Sequence, residues 1–186
     1  MTEVEIKLAI NDPEACGEAL LENGFVFEKT VLENDTYYNS PAHDFRSLDE
    51  ALRIRRTRPL MPAGDEVCCV TYKGPKLDAV SMTRKELESG VENPEVFEEL
   101  FAALGLYAVL PVVKLRRYYR SEAYSMNACL DFVEGLGYFL ELEILVESAG
   151  ERSKALAMIE EVLQKLGYRM EDTTRTSYLT MLEEMG

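Results

Sequence analysis

A chain of 186 residues, 47% hydrophobic and 29% charged, is long enough to fold as one domain around its own core, and 1–186 is read here as a single domain. Its formal charge of −14 argues against a nucleic-acid surface, which needs a basic patch to neutralise phosphates. That charge still allows a small polyanion drawn to a local basic lining. No apolar run reaches bilayer length and the N-terminus lacks the basic–apolar–small order of a signal peptide, so neither membrane nor secretion is expected. Cys16, Cys68, Cys69 and Cys129 form no CxxC pair, and His43 is the single histidine. A zinc site of the usual ligands is therefore not expected, and a reducing cytoplasm is.

Taken in order, the chain opens on Thr2–Leu8, in which Glu3, Glu5 and Lys7 alternate with Val4, Ile6 and Leu8. Side chains of a strand point to opposite faces with period two, so this is a strand with one charged and one apolar face. Asn11-Asp12-Pro13 starts a helix that runs to Asn23-Gly24. Phe25–Asn39 reads as a strand, Asp44–Glu50 as a short helix, and Ala51–Arg58 as a strand closed by a turn from Pro59 to Gly64. Val67–Lys73 follows like the second arm of a hairpin and stops at Gly74-Pro75. Ser81–Ser89 is a further strand, with Arg84, Glu86 and Glu88 on one face.

Asn93-Pro94 opens a second helix, which ends before Gly105. Leu106–Ser121 is a long strand, and Ala123–Val133 and Tyr138–Val146 form a pair across Glu134-Gly135-Leu136-Gly137. A third helix runs from Gly150 to Leu166, and a last one from about Thr174 to Met185. The count is about eight strands with helices inserted singly. Short turns favour an antiparallel meander, and eight strands can close into a barrel wide enough for one small ligand.

Several of these strands carry a charged face backed by an apolar one. The expected fold is thus an α+β, eight-stranded antiparallel closed β-barrel with a charged interior and helices packed outside. Glu3, Glu5, Asp131, Glu141 and Glu143 form the candidate metal set. Hard cations such as Mg²⁺ or Mn²⁺ take oxygen ligands, and Glu-x-Glu on a strand delivers two carboxylates to one face roughly 7 Å apart. Lys7, Arg53, Arg55, Lys73, Lys114 and Arg116 form the candidate triphosphate-binding set, arginine offering a planar donor fork and lysine a point charge. The plainer readings are exposed acidic faces and ion pairing between strands. Mutual repulsion among inward cations leads us to expect that single removals of Arg53, Arg55 or Lys73 leave the fold unharmed. Tyr37, Tyr38, His43 and Asp44 are given no role.

The opening Glu3-x-Glu5-x-Lys7 resembles the signature of the CYTH superfamily, the triphosphate tunnel metalloenzymes. The likeness continues through Asp35-Thr36-Tyr37-Tyr38, Leu52-Arg53-Ile54-Arg55, Thr71-Tyr72-Lys73-Gly74-Pro75, Arg84-Lys85-Glu86, Lys114-Leu115-Arg116-Arg117, the stretch from Leu130 to Glu143, and Ser177-Tyr178-Leu179. The resemblance implies an eight-stranded tunnel, metal on the five carboxylates, and a triphosphate held by the cations. Lys7, Arg53, Arg55 and Lys73 then carry the catalytic role by holding the leaving phosphates. Arg116 and Arg117 compete for one position of the pattern, and parity with Lys114 selects Arg116. Gly-Pro after the Thr71–Lys73 strand and Asp131-Phe132-Val133-Glu134-Gly135-Leu136-Gly137 look most like class IV adenylyl cyclases, which convert ATP to cyclic AMP and pyrophosphate. The alternative is a triphosphatase acting on tripolyphosphate, thiamine triphosphate or a nucleotide, and a third reading is a non-catalytic polyphosphate- or nucleotide-binding module. Oligomeric state stays open, a homodimer included.

Overall fold

The computed structural model describes residues 2–185. Eight strands close into one antiparallel barrel: β1 (Thr2–Ile10), β2 (Val26–Asn39), β3 (Ala51–Met61), β4 (Val67–Lys73), β5 (Arg84–Val91), β6 (Tyr107–Ser121), β7 (Met126–Val133) and β8 (Gly137–Val146). The order around the barrel is β1-β5-β4-β3-β2-β6-β7-β8, with β8 returning to β1. It departs from a simple meander at two places. The β1→β2 and β5→β6 connections join strands that are not neighbours, and these are the two that carry helices, α1 (Pro13–Glu22) and α2 (Pro94–Ala103). A helix spans the distance that a tight turn cannot.

The apolar faces of the strands point outward, and helices cover them. Val4, Ile6 and Leu8 of β1 pack with Leu140, Leu142 and Ile144 of β8 against Cys16 and Leu20 of α1. Ile159, Val162 and Leu163 of α3 (Arg152–Lys165) complete this main core. On the opposite wall Phe101 of α2 meets Tyr38 and Ile54. A third, smaller cluster lies on the inner face, where α4 (Tyr178–Met185) sets Tyr178 against Val112, Val133 and Phe139 at one end of the barrel. The helix starts follow local rules. Asp12 accepts hydrogen bonds from the Glu14 and Ala15 amides (3.2 and 2.9 Å), and Pro13 takes the first helical position. At the end of α1, Gly24 turns the chain at φ +82°, a region a Cβ disfavours.

Four sequence expectations change. Asp44–Glu50 is not a helix but a chain of turns, in which the Glu50 amide reaches the Phe45 carbonyl and Asp49 takes φ +55°. The strand expected at Ser81–Ser89 begins only at Arg84, because Asp78 captures the Val80 and Ser81 amides in a side-chain-capped turn. The last helix begins at Tyr178 rather than Thr174, since the Thr174 amide donates to the Lys7 carbonyl (2.7 Å) and 174–177 stay outside the helix. β3 also runs on through Pro59 to Met61, with Pro59 beside a register shift in β2, where a missing N–H disturbs the ladder least.

Because the main core lies between the barrel and its helices, a cavity made there should unfold the protein. Leu163→Ala, at a fully buried site on α3, is expected to lower the unfolding free energy by about 2–5 kcal/mol in urea titration.

Candidate functional site: a charged tunnel

The barrel encloses a cavity of about 860 Å³. Parity places Glu3, Glu5 and Lys7 of β1, Arg53 and Arg55 of β3, Lys73 of β4, and Arg84, Glu86 and Glu88 of β5 in its wall. Lys114 and Arg116 of β6 and Glu141 and Glu143 of β8 complete the strands' share of the charged lining, to which the loops and α4 add Arg46, Lys76, Arg175 and Glu183 among others. Arg117, one residue on, points out and pairs with Glu14 of α1 (3.1 Å), so Arg116 is the inward residue of the pair. His43 does not itself line the cavity but stands 2.6 Å from Glu50, which does, and Asp44 closes its own turn on Asn39. Tyr37 and Tyr38 do reach the wall.

The lining cations divide by what already holds them. Asp35 of β2 accepts both Nε and Nη2 of Arg55 (2.6 and 2.7 Å) and lies 3.3 Å from Arg53. Glu33, two residues back on the same face, stands 3.0 Å from Arg55 and 3.1 Å from Lys114. One of its oxygens, Oε2, meets these cations within ion-pair distance but off the line of a hydrogen bond. Burial works to raise both carboxyls, and the surrounding cations outweigh it, Lys114 and Arg55 for Glu33, Arg55 and Arg53 for Asp35. Both acids are held far below the usual carboxylate range.

Arg116 is gripped likewise. Asp131 accepts its Nε and Nη2 (2.6 Å each) and Glu141 its Nη2, while the Tyr178 hydroxyl donates to Asp131 (3.0 Å). Asp131 is therefore engaged behind the cavity wall rather than in it. Burial opposes the charge of Glu141, yet Arg116, Lys114 and Lys7 bring its carboxyl down to about 2. Sequence reasoning missed Glu33 and Asp35 as site residues. Their alternation on β2 was visible, but their partners sit on the neighbouring strands and only register reveals them.

Three lining cations retain free capacity. Lys7 is 2% exposed and has no carboxylate within ion-pair distance among the described residues; its ammonium sits 4.1 Å above the Tyr178 ring. Burial lowers its pKa despite Glu141 and Glu5 nearby. The Nε of Arg53 is buried without a hydrogen-bond partner. Lys73 pairs with Glu86 (2.5 Å) and stands 3.9 Å from Glu3. The expectation that single removals leave the fold unharmed therefore changes for Arg55, whose loss takes the bidentate partner from Asp35 and one of the two nearest cations from Glu33.

The acidic wall shows the opposite imbalance. Glu5 and Glu143 are direct cross-strand partners on β1 and β8, and like charges so placed repel. Burial first, and then Glu141 and Glu143 against Lys73 and Lys7, pushes the Glu5 carboxyl up to about 7. Glu3 is raised by burial and by Glu143. Among the described residues no three such ligands are already drawn around one point, since Glu141 is taken by Arg116 and Glu3 lies toward Lys73. The chemistry nevertheless fits a hard divalent cation, with oxygen donors whose mutual repulsion a cation relieves.

An eight-stranded antiparallel tunnel with carboxylates on β1 and β8 facing cations on β3, β4 and β6 defines the class of protein to which this one is assigned. The chain belongs to the CYTH domain family, whose profile matches residues 1–178. Members of the family act on small triphosphates with divalent metal ions. A protein of Methanocaldococcus jannaschii, provisionally named an adenylate cyclase, is 41% identical over 181 residues, covering 97% of this chain and 98% of its own. An adenylate cyclase of Aeromonas hydrophila is 25% identical over 184 residues, covering 98% and 89%. The solved structure of a protein from Pyrococcus horikoshii superposes with a TM-score of 0.89 at 39% identity over 99% of both chains.

Two outcomes follow from the charge balance. Asp35→Ala should cost about 3–5 kcal/mol in denaturant titration, because it leaves buried guanidiniums uncompensated, whereas Lys7→Met should fold at least as stably as the parent. The second concerns pH. A carboxyl raised in the fold costs stability as pH climbs from its unfolded value near 4.5 through about 7, opposite in sign to Glu33 and Asp35, whose contribution is lost only in acid. Added Mn²⁺ should thus raise the melting temperature more at pH 8 than at pH 5, and Glu5→Gln should raise that of the cation-free protein at pH 8 while reducing the Mn²⁺ effect, read by scanning calorimetry.

Proposed function

We propose that this protein is a metal-dependent enzyme that binds a nucleoside triphosphate in the tunnel and converts ATP to cyclic AMP and pyrophosphate. The observation that carries the reading is the division of the tunnel into a wall of mutually repelling carboxylates and a wall of cations with spare donors. The full-length likeness to two proteins named as adenylate cyclases supports the choice of reaction. Glu3, Glu5 and Glu143 would hold the divalent cation, Mg²⁺ or Mn²⁺, and Glu141 and Asp131, the partners of Arg116, would join them on its release. Bound there, such an ion supplies Lewis-acid stabilisation of phosphate charge.

Lys7, Arg53 and Lys73 take the β- and γ-phosphates first, because each can meet a new anion without giving up a bidentate partner. Arg55, Lys114 and Arg116, already fixed by Glu33, Asp35, Asp131 and Glu141, present further positive charge in a set position. Holding the leaving end rigidly leaves the α-phosphorus to the 3′-oxygen of the same nucleotide. That oxygen gives up its proton and bonds to the α-phosphorus, the bond to the bridging oxygen breaks, and the pyrophosphate, which takes up the proton directly or through water, stays on the cations before release. The four free cysteines and the nucleotide substrate fit a cytoplasmic enzyme.

Incubation with α-³²P-ATP and Mn²⁺ tests the reaction. Labelled cyclic AMP that disappears with chelator, and falls by orders of magnitude in Glu143→Gln, is the expected result. Labelled ADP, or rapid hydrolysis of tripolyphosphate beside inert ATP, would make the protein a triphosphatase. Nucleotide bound but unconsumed would make it a binding module.

A further inference from the structure

The barrel wall is incomplete as a sheet at one seam. On its β8 side β1 is paired along its whole length, from Thr2↔Val146 to Ile10↔Tyr138. On its β5 side the ladder has only Thr2↔Lys85 and Glu3↔Arg84. Beyond that point the edge of β1 belongs to Glu5 and Lys7, two residues whose side chains line the tunnel. Two short segments outside the sheet supply their missing partners. The Met82 amide donates to the Glu5 carbonyl (2.9 Å), and the Thr174 amide donates to the Lys7 carbonyl (2.7 Å).

These two donors come from distant parts of the chain, and one side chain ties them together. Arg175, next to Thr174, donates from Nε to the Ser81 carbonyl (3.1 Å) and from Nη2 to the Asp78 carbonyl (2.6 Å). Ser81 is next to Met82. The receiving turn is already braced, with Asp78 accepting from the Val80 and Ser81 amides and from the Ser81 hydroxyl (2.8, 2.6 and 2.7 Å). Three residues further on, Tyr178 lays its ring over the Lys7 ammonium and donates to Asp131. The non-helical strap 174–177 thus meets Lys7 through its backbone at one end and delivers Tyr178 to its side chain at the other.

We propose that Arg175 is a positioning residue of the tunnel: it staples the C-terminal strap to the turn before β5, and the staple completes the barrel wall along the part of β1 that carries Glu5 and Lys7. Its hydrogen bonds go to backbone carbonyls, and although Arg175 also borders the cavity, the proposed effect passes through Glu5 and Lys7 and is read at the Met82 and Thr174 amides. A guanidinium suits the task because its fixed fork spans two carbonyls at once. Without it each surrogate pairing is a single hydrogen bond on a loop, free to open locally while the rest of the barrel stays closed. For its effect on binding, the inference rests on the reading of the tunnel as a triphosphate site.

The test compares the parent, Arg175→Ala and Arg175→Lys. Amide hydrogen exchange is followed at Met82 and Thr174, and tripolyphosphate affinity is measured by calorimetry in Mn²⁺. The alanine variant should exchange both amides about tenfold faster and bind tripolyphosphate about tenfold more weakly, as the loss of two hydrogen bonds implies. Lysine, which keeps a cationic donor, should recover part of both. If the alanine variant does not fold, the lysine variant carries the same comparison. Unchanged exchange at the two amides would overturn the staple, and faster exchange with undiminished affinity would overturn its bearing on Glu5 and Lys7. Failure of the parent itself to bind tripolyphosphate sinks the reading of the tunnel instead, and the staple is then decided by the exchange of the two amides alone.

Discussion

Charge compensation inside a closed barrel is the constraint from which the rest of this structure follows. Arg55, held by two bonds to Asp35 and a third contact to Glu33, is its centre. A buried guanidinium without such partners is too costly to keep, and a buried carboxylate equally so. β2 therefore does more than carry an outward apolar face. It inserts two acids between the cations of β3 and those of β6, and the three strands lock into one electrostatic unit. On the other side Asp131 and Glu141 perform the same service for Arg116.

An interior given over to charge moves the hydrophobic effect to the outside. Ordinary barrels stabilise themselves from within, whereas here the apolar surface that drives folding lies between the strands and the helices. α1 and α3 seal β1 and β8, and α2 seals β2 and β3. The same strands that carry the acidic wall on one face thus anchor the main core on the other. Glu5 and Glu143 can be kept close in spite of their repulsion because Val4, Ile6, Leu142 and Ile144 fix their backbones from behind.

The tunnel is consequently not a uniformly baited trap. Cations fully engaged by protein carboxylates give shape and background potential, while Lys7, with an aromatic face in place of an anion, keeps its charge available. A highly charged substrate enters where the protein has left donors unspent on one wall and acceptors in excess on the other. This asymmetry, rather than the total of charged residues, is what suits the cavity to a triphosphate with its counter-ion.

Period-two alternation was enough to read from the sequence that β1, β3, β4, β6 and β8 each have a charged and an apolar face, because the two-residue repeat of a strand is a local property. Glu3, Glu5, Lys7, Arg53, Arg55, Lys73, Lys114, Arg116, Glu141 and Glu143 could all be picked out in this way, and all of them line the cavity. The inverted barrel followed from the same pattern. The order of strands did not, since a helical connection leaves open which strand comes to lie beside which, and β1 sits between β5 and β8. Register was equally out of reach, so Asp35 opposite Arg55 and Glu5 opposite Glu143 became visible only in three dimensions. The last stretch shows the limit most clearly: the composition of 174–177 is compatible with a helix, and it stays outside one because a carbonyl of β1, far away in sequence, takes the Thr174 amide. Side-chain facing is written into neighbouring residues, but partnership across the barrel depends on which distant backbone groups are left without a hydrogen bond, and only the closed fold decides that.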